Sequence, residues 1–159
     1  MSTTHPQIAV NAEAEAMTAR AEVAAVKFPS SVGSTTQSDH FVERNGLVYA
    51  GSHLIVDLWQ ANGLDDVELI EKALRRAVDA AKATLLHIHL HKFSPEGGVS
   101  GVAVLAESHI SIHTWPERGY AALDVFMCGD AEPERAIPVL REAFEPGRVI
   151  VSEHKRGVV

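Results

Sequence analysis

Four consecutive strand-like runs in the middle of the chain constrain the fold most strongly. Each run is rich in β-branched, aliphatic or aromatic residues, and a short polar or glycine-containing break follows each one. Between residues 84 and 128 the runs read TLLHIHLHKF, GVSGVAVLA, SHISIHTW and YAALDVFMC. Because no helical segment separates them, we expect them to form a largely antiparallel sheet.

Further strand-like and helical segments flank these four runs. LVYAGSHLIVDLW predicts a strand before them, and GRVIVSEHKRG predicts a strand that closes the chain. A first helix is expected to start at Asp65, with Glu68 as its capping-box partner. Its apolar residues recur at helical spacing at Val67, Ile70, Ala73, Leu74, Ala77, Val78 and Ala81. A second helix fits AEPERAIPVLREAF, where Pro138 should kink the helix or shift its start.

This order of elements predicts the α+β class. The expected architecture is a two-layer α/β sandwich with a largely antiparallel sheet and its helices on one face. The other face is left for water, a partner chain or a site. The 159 residues suffice for one domain, which we place at 45–159, after the Asn45-Gly46 turn signal. Residues 1–40, rich in Ala, Ser and Thr, are expected to be a flexible extension.

Composition argues against several classes of function. The net charge of −7 gives no reason to expect nucleic-acid binding. No apolar run approaches the roughly 20 residues that span a bilayer, and the N-terminus does not resemble a secretory signal. Cys128 is the one cysteine, so an intramolecular disulfide is impossible and a cytoplasmic location is expected. By composition alone, Cys128 would be a small buried hydrophobic residue.

The HIHLH run places His87, His89 and His91 on one face of a strand. Imidazoles at this spacing can bind zinc or iron, so a metal protein is one alternative. The sequence singles out no carboxylate or fourth ligand, however. We therefore predict a half-exposed polar strand face and no metal.

The run LAESHISIHTWPE, residues 105–117, has the highest density of reactive side chains. A regular strand would place Ser108 and His113 on opposite faces, so the two could not meet. Ser108 also lacks the G-x-S-x-G context of many hydrolases, and no third residue is evident to orient a base. Serine-hydrolase chemistry is therefore not favoured.

The stretch GVSGVAVLAESHISIHTWPERGYAALDVFMCG, residues 98–129, resembles the centre of the bacterial and archaeal pyruvoyl-dependent S-adenosylmethionine decarboxylases. The likeness includes GSHLIVDLW, DDVELIEKAL and SEHKRG, but not the N-terminal extension. It implies self-cleavage between Glu107 and Ser108. Ser108 would become a pyruvoyl group that forms a Schiff base with the substrate, and no external cofactor would be needed.

The resemblance also implies roles for other matching residues. His113 would remove the Ser108 α-proton during processing, and Ser100 would hold the processing geometry. Cys128 would be the acid that returns a proton to the product, in place of the buried role that composition suggests.

For the substrate, S-adenosylmethionine, Glu117 would bind the ribose hydroxyls and Phe93 would stack on adenine, with Trp115 lining the same pocket. Core packing is the alternative for Phe93. The product would be the aminopropyl donor for spermidine synthesis. The loop FSPEGGVSG is one residue longer than the commonest family form. Because some family members decarboxylate arginine or ornithine, these substrates remain alternatives.

The resemblance further implies a homodimer of processed protomers with sites near the interface. An unprocessed, non-catalytic regulatory homologue is the alternative from another functional class.

Overall fold

The computed structural model describes residues 41–159, and the predicted extension at 1–40 lies outside the described residues. The strands are β1 (Val42–Arg44), β2 (Leu47–Tyr49), β3 (Gly51–Trp59), β4 (Leu85–Lys92), β5 (Val99–Leu105), β6 (Ser108–Trp115), β7 (Tyr120–Met127) and β8 (Arg148–Arg156). The α-helices are α1 (Val67–Ala80) and α2 (Ala136–Phe144), and short 3-10 turns span Pro116–Arg118 and Pro133–Arg135.

Six strands form one sheet in the order β4-β5-β6-β7-β3-β8, and every neighbouring pair is antiparallel. The strands β1 and β2 make a separate hairpin. Asn45 and Gly46 form its turn with φ of 54° and 77°, the left-handed conformation that two-residue hairpin turns favour. The turn signal was therefore read correctly, although the hairpin begins at Val42, before the predicted boundary.

Both helices pack on one face of the six-stranded sheet. The core contains the apolar stripe of α1, three buried residues of α2, and alternate residues of the central strands. In β3, for example, Leu54, Val56 and Leu58 are buried, whereas Ile55 between them is exposed. The predicted two-layer α+β sandwich is thus confirmed. We call the sheet surface opposite the helices the open face.

The start of α1 differs from the prediction by one residue. Asp66, not Asp65, is the N-cap, and its carboxylate accepts a hydrogen bond from the Leu69 backbone N–H at 3.0 Å. The Asp66 N–H itself bonds to the Gly63 carbonyl at 3.3 Å, which leads the chain into the helix at that residue. Glu68 lies in the first turn, where its negative charge interacts favourably with the helix dipole and stabilises the helix.

Two further boundaries depend on proline and on local bonding. Pro138 lies in the first turn of α2. Backbone N–H groups in the first turn have no intrahelical acceptor, so the absence of this group in proline breaks no helical hydrogen bond. The preceding residues form the 3-10 turn at Pro133–Arg135, so the proline shifts the helix start. The predicted strand at 47–59 is divided at Ala50, whose N–H bonds to the Arg156 carbonyl at 2.8 Å.

Neither helix within residues 41–159 is long and apolar enough to cross a membrane.

Candidate active site

The loop between β5 and β6 is a tight turn with a strained residue. Leu105 pairs with Ser108, which leaves only Ala106 and Glu107 to connect the strands. Glu107 has φ of 63°, a left-handed conformation that costs a residue with a side chain roughly 1–2 kcal/mol. The backbone is therefore strained immediately before Ser108.

Three residues meet at this turn. The Ser108 hydroxyl accepts a hydrogen bond from the Cys128 backbone N–H at 3.2 Å, and it lies 3.5 Å from the Cys128 sulfur. The Cys128 thiol in turn donates to the Glu107 carbonyl oxygen at 2.7 Å. A hydroxyl therefore sits beside a peptide carbonyl that already accepts a hydrogen bond, which favours addition to that carbonyl.

The exposure of these residues suits a reactive group. Ser108 is buried, with 9% of its surface exposed, so water has little access to its hydroxyl. Cys128 directly follows β7 and is half-buried. The compositional prediction of a buried Cys128 was therefore wrong, because the residue lies just past Met127, the last buried position of β7.

A second pair of polar residues lies on the open face. Ser100 of β5 is the direct cross-strand partner of His113 of β6. The Ser100 Oγ and the His113 Nδ1 are hydrogen-bonded at 2.8 Å. This bond fixes the imidazole and leaves its Nε2 available for proton transfer.

Ser108 and His113 do not meet within one protomer. Ser108 faces the helices, whereas His113 lies on the open face, as strand alternation predicts. Ser108 and His113 are also five positions apart along an extended strand, which separates them by roughly 17 Å. The structure therefore joins Glu107, Ser108 and Cys128 in one cluster and Ser100 with His113 in another.

A row of three neighbouring aromatic rings borders the second cluster. Tyr120 lies between Trp115, at 5.3 Å, and Trp59, at 4.4 Å between ring centroids. The Tyr120 hydroxyl donates to Asp57 at 2.6 Å. This hydrogen bond, together with partial burial, raises the pKa of Tyr120 to about 12.

Glu117 follows this aromatic row and is exposed in the 3-10 turn at Pro116–Arg118. The sequence interpretation did not include Trp59, Tyr120 or Asp57 in the site. The alternation in β3 and β7, which puts their side chains on the open face, is the signal that could have found them.

Phe93 continues the open-face alternation just beyond the end of β4. Its N–H bonds to the Gly98 carbonyl at 3.1 Å, and the Gly97 N–H bonds to the Ser94 carbonyl at 3.0 Å. The longer loop thus closes in a turn, and next to it β4 and β5 stay in register from His87↔Val104 to Lys92↔Val99. Phe93 is 67% exposed, so core packing, the alternative for this residue, was wrong.

The three histidines of β4 are exposed on the open face. They lie opposite Val104, Val102 and Ser100 of β5. Within residues 41–159, no three His, Cys, Asp or Glu side chains converge closely enough to hold a metal ion. The three histidines therefore form an exposed, polar face of β4.

Comparisons with known proteins all point to one family. The family model described as S-adenosylmethionine decarboxylase matches residues 52–157. The S-adenosylmethionine decarboxylase proenzyme of Thermomicrobium roseum is 52% identical over 110 residues, which cover 69% of this chain and 95% of that protein. The proenzyme of Methanococcus vannielii is 55% identical over 112 residues, covering 69% and 91% of the two chains.

A solved structure gives the same result. The crystal structure of the adenosylmethionine decarboxylase from Aquifex aeolicus VF5 matches with a TM-score of 0.64 and 38% sequence identity. The match covers 70% of this chain and 93% of that one. The region matched by the family model runs from β3 to β8, and both polar clusters lie within it.

Proposed function

Because the chain belongs to the S-adenosylmethionine decarboxylase family, we propose that it is a self-cleaving, pyruvoyl-dependent decarboxylase of S-adenosylmethionine. The reaction releases CO2 and yields decarboxylated S-adenosylmethionine, the aminopropyl donor for spermidine synthesis. The observation that carries this proposal is the cluster of Ser108, Cys128 and the Glu107 carbonyl at a strained turn.

Cleavage at this cluster would proceed through an ester, a dehydroalanine and an imine. The Ser108 hydroxyl adds to the Glu107 carbonyl carbon, and the C–N bond breaks to give an ester and a free amine. Removal of the Ser108 α-proton then expels the Glu107 carboxylate and leaves dehydroalanine. After this residue tautomerises to an imine, one water molecule replaces its nitrogen, which leaves as ammonia. The new chain end at position 108 is the pyruvoyl group.

The residues around position 108 suit this prosthetic group. When formed, the pyruvoyl group supplies a carbonyl for the substrate amine and an electron sink for the decarboxylation. Cys128 contacts both sides of the cleaved bond, so its thiol is placed to return a proton to the product carbon. That thiol must remain reduced, and we therefore place the enzyme in the cytoplasm.

Substrate recognition would use the side of the open face that carries His113. Phe93 offers an exposed ring for adenine, and Glu117 offers a carboxylate for the ribose hydroxyls. Trp115 lies near His113, at 6.5 Å between ring centroids, and would line the same pocket. These groups suit a nucleoside better than arginine or ornithine, the alternative substrates, which lack a ring to stack.

We propose that two copies of the chain complete each site. Ser108 and His113 lie at opposite ends of β6 and on opposite faces, so His113 of the same copy cannot remove the proton. Once the C–N bond has broken, position 108 is a chain end that can turn towards the open face, where the partner's imidazole would lie. A two-fold axis between facing open faces would bring the start of β6 in one copy near its end in the other. This interface would also bury four large apolar residues that are each about 40% exposed in the single chain: Ile55, Val104, Trp115 and Ile150.

Release of CO2 tests the substrate assignment. The wild-type enzyme should release CO2 from carboxyl-labelled S-adenosylmethionine, and Ser108→Ala should not. Labelled arginine and ornithine should give no release above that of the Ser108→Ala control. Release from either amino acid, without release from S-adenosylmethionine, would replace our assignment by the alternative one.

Co-expression of two inactive variants tests the shared site. Neither Ser108→Ala nor His113→Ala should cleave alone, since each lacks one component. When the two are co-expressed, the Ser108→Ala chain can supply His113 to the other chain, so the His113→Ala chain should be cleaved. If that chain stays intact in a confirmed heterodimer, processing does not use the partner's imidazole.

A further inference from the structure

The side chain of His91 makes a contact that neither cleavage nor decarboxylation requires. We propose that His91 is a positioning residue that holds the Phe93 ring for the adenine of the substrate. The inference rests on the proposed function, in which Phe93 is the stacking residue. It adds a determinant of substrate affinity that lies outside both polar clusters.

The geometry of the β4 end supports this role. His91 and Phe93 are two residues apart in extended chain, so both side chains project from the open face. Their ring centroids are 4.9 Å apart and their planes meet at 79°, the edge-to-face arrangement that aromatic pairs prefer. The ring of Phe93 is two-thirds exposed. An exposed ring loses rotational freedom when it binds a ligand, and a neighbour that already orients it reduces that loss.

The position of His91 explains why it should act on binding alone. It lies opposite Ser100 across β4 and β5, but the Ser100 hydroxyl is hydrogen-bonded to His113. The processing pair is therefore complete without His91. Since β4 is an edge strand and His91 is exposed, its replacement should also leave the core intact.

The expected effect is a moderate change in KM. An aromatic pair of this kind contributes enough to change an equilibrium by about two- to tenfold. We therefore expect His91→Ala to raise the KM for S-adenosylmethionine by about two- to tenfold. The cleavage rate and kcat should remain at the wild-type values.

Three further variants make the test specific. His91→Phe keeps an aromatic edge beside Phe93 and should retain the wild-type KM. His87→Ala is the matched control, because it removes an exposed imidazole from the same face of the same strand, four residues from His91. Phe93→Ala removes the stacking ring itself and should raise KM by at least as much as His91→Ala. Each purified enzyme is assayed for the extent of cleavage, kcat and KM.

The outcomes separate the inference from the proposed function. A KM raised in His91→Ala, unchanged in His87→Ala and retained in His91→Phe supports the positioning role. If Phe93→Ala raises KM but His91→Ala does not, the inference fails and the role of Phe93 stands. If Phe93→Ala leaves KM unchanged, the proposed adenine site is wrong and the inference fails with it. A loss of cleavage or kcat in His91→Ala would also overturn the inference.

Discussion

The strained backbone at Glu107 should affect both stability and the rate of self-cleavage. With φ of 63°, the residue adopts a conformation that glycine tolerates and alanine does not. Glu107→Ala keeps the backbone cost of about 1–2 kcal/mol, and Glu107→Gly relieves it. Both variants lose the same carboxylate and its contacts, so their difference reports on the backbone alone.

Stability is measured first, in chains that cannot cleave. In a Ser108→Ala background, Glu107→Gly should be more stable to urea than Glu107→Ala. The greater flexibility of glycine in the unfolded chain offsets part of the backbone cost. The expected difference in the free energy of unfolding is therefore about 1 kcal/mol.

Cleavage is measured next, with Ser108 restored. If addition of the Ser108 hydroxyl releases the strain, Glu107→Ala should cleave faster than Glu107→Gly. Full release of about 1–2 kcal/mol would make the rate about five- to thirtyfold higher. Precursors made by cell-free translation can be followed by intact mass over time. Equal cleavage rates, despite a measured difference in stability, would refute the idea that strain promotes cleavage. Equal stabilities would refute the strain itself.

Three other substitutions test separate parts of the structure. Ser100→Ala removes the hydrogen bond to the processing imidazole, so precursor should accumulate in pulse-chase experiments while circular dichroism stays unchanged. Asp66→Ala should lower the free energy of unfolding in urea by about 1 kcal/mol, whereas Asp65→Ala should not, because only the former caps α1. The hydrogen bond to Asp57 raises the pKa of Tyr120 to about 12, so the folded state holds this proton more tightly than the unfolded chain. The stabilisation is complete below about pH 10 and declines towards pH 12, so the difference in unfolding free energy between wild type and Tyr120→Phe should shrink over that range.

The fold could be predicted well because its elements follow simple periodic patterns. Alternation in four adjacent runs and the apolar stripe of α1 were enough to indicate an antiparallel sheet with helices on one face. Local hydrogen bonds decided the details that were missed. Two adjacent aspartates compete for the cap of α1, and the hydrogen bond that favours Asp66 depends on the preceding turn at Gly63.

The candidate site could be predicted only in part. Family resemblance named Ser108, His113 and Cys128, but it gave no reason for their arrangement in space. Strand alternation correctly separated Ser108 from His113, and it did not reveal the strained φ of Glu107, which depends on the register of β5 and β6. Two-residue spacing puts His91 and Phe93 on one face, but the distance between their rings and the exposure of Phe93 could be seen only in the structure.

The intact mass of the purified protein under denaturing conditions, compared with that of Ser108→Ala, tests the central claim most directly. We expect the wild-type protein to give two chains that end at Glu107 and begin at position 108. The second chain should be blocked to N-terminal sequencing, and Ser108→Ala should remain whole. A single uncut chain in both samples would contradict self-cleavage and would favour a non-catalytic regulatory relative.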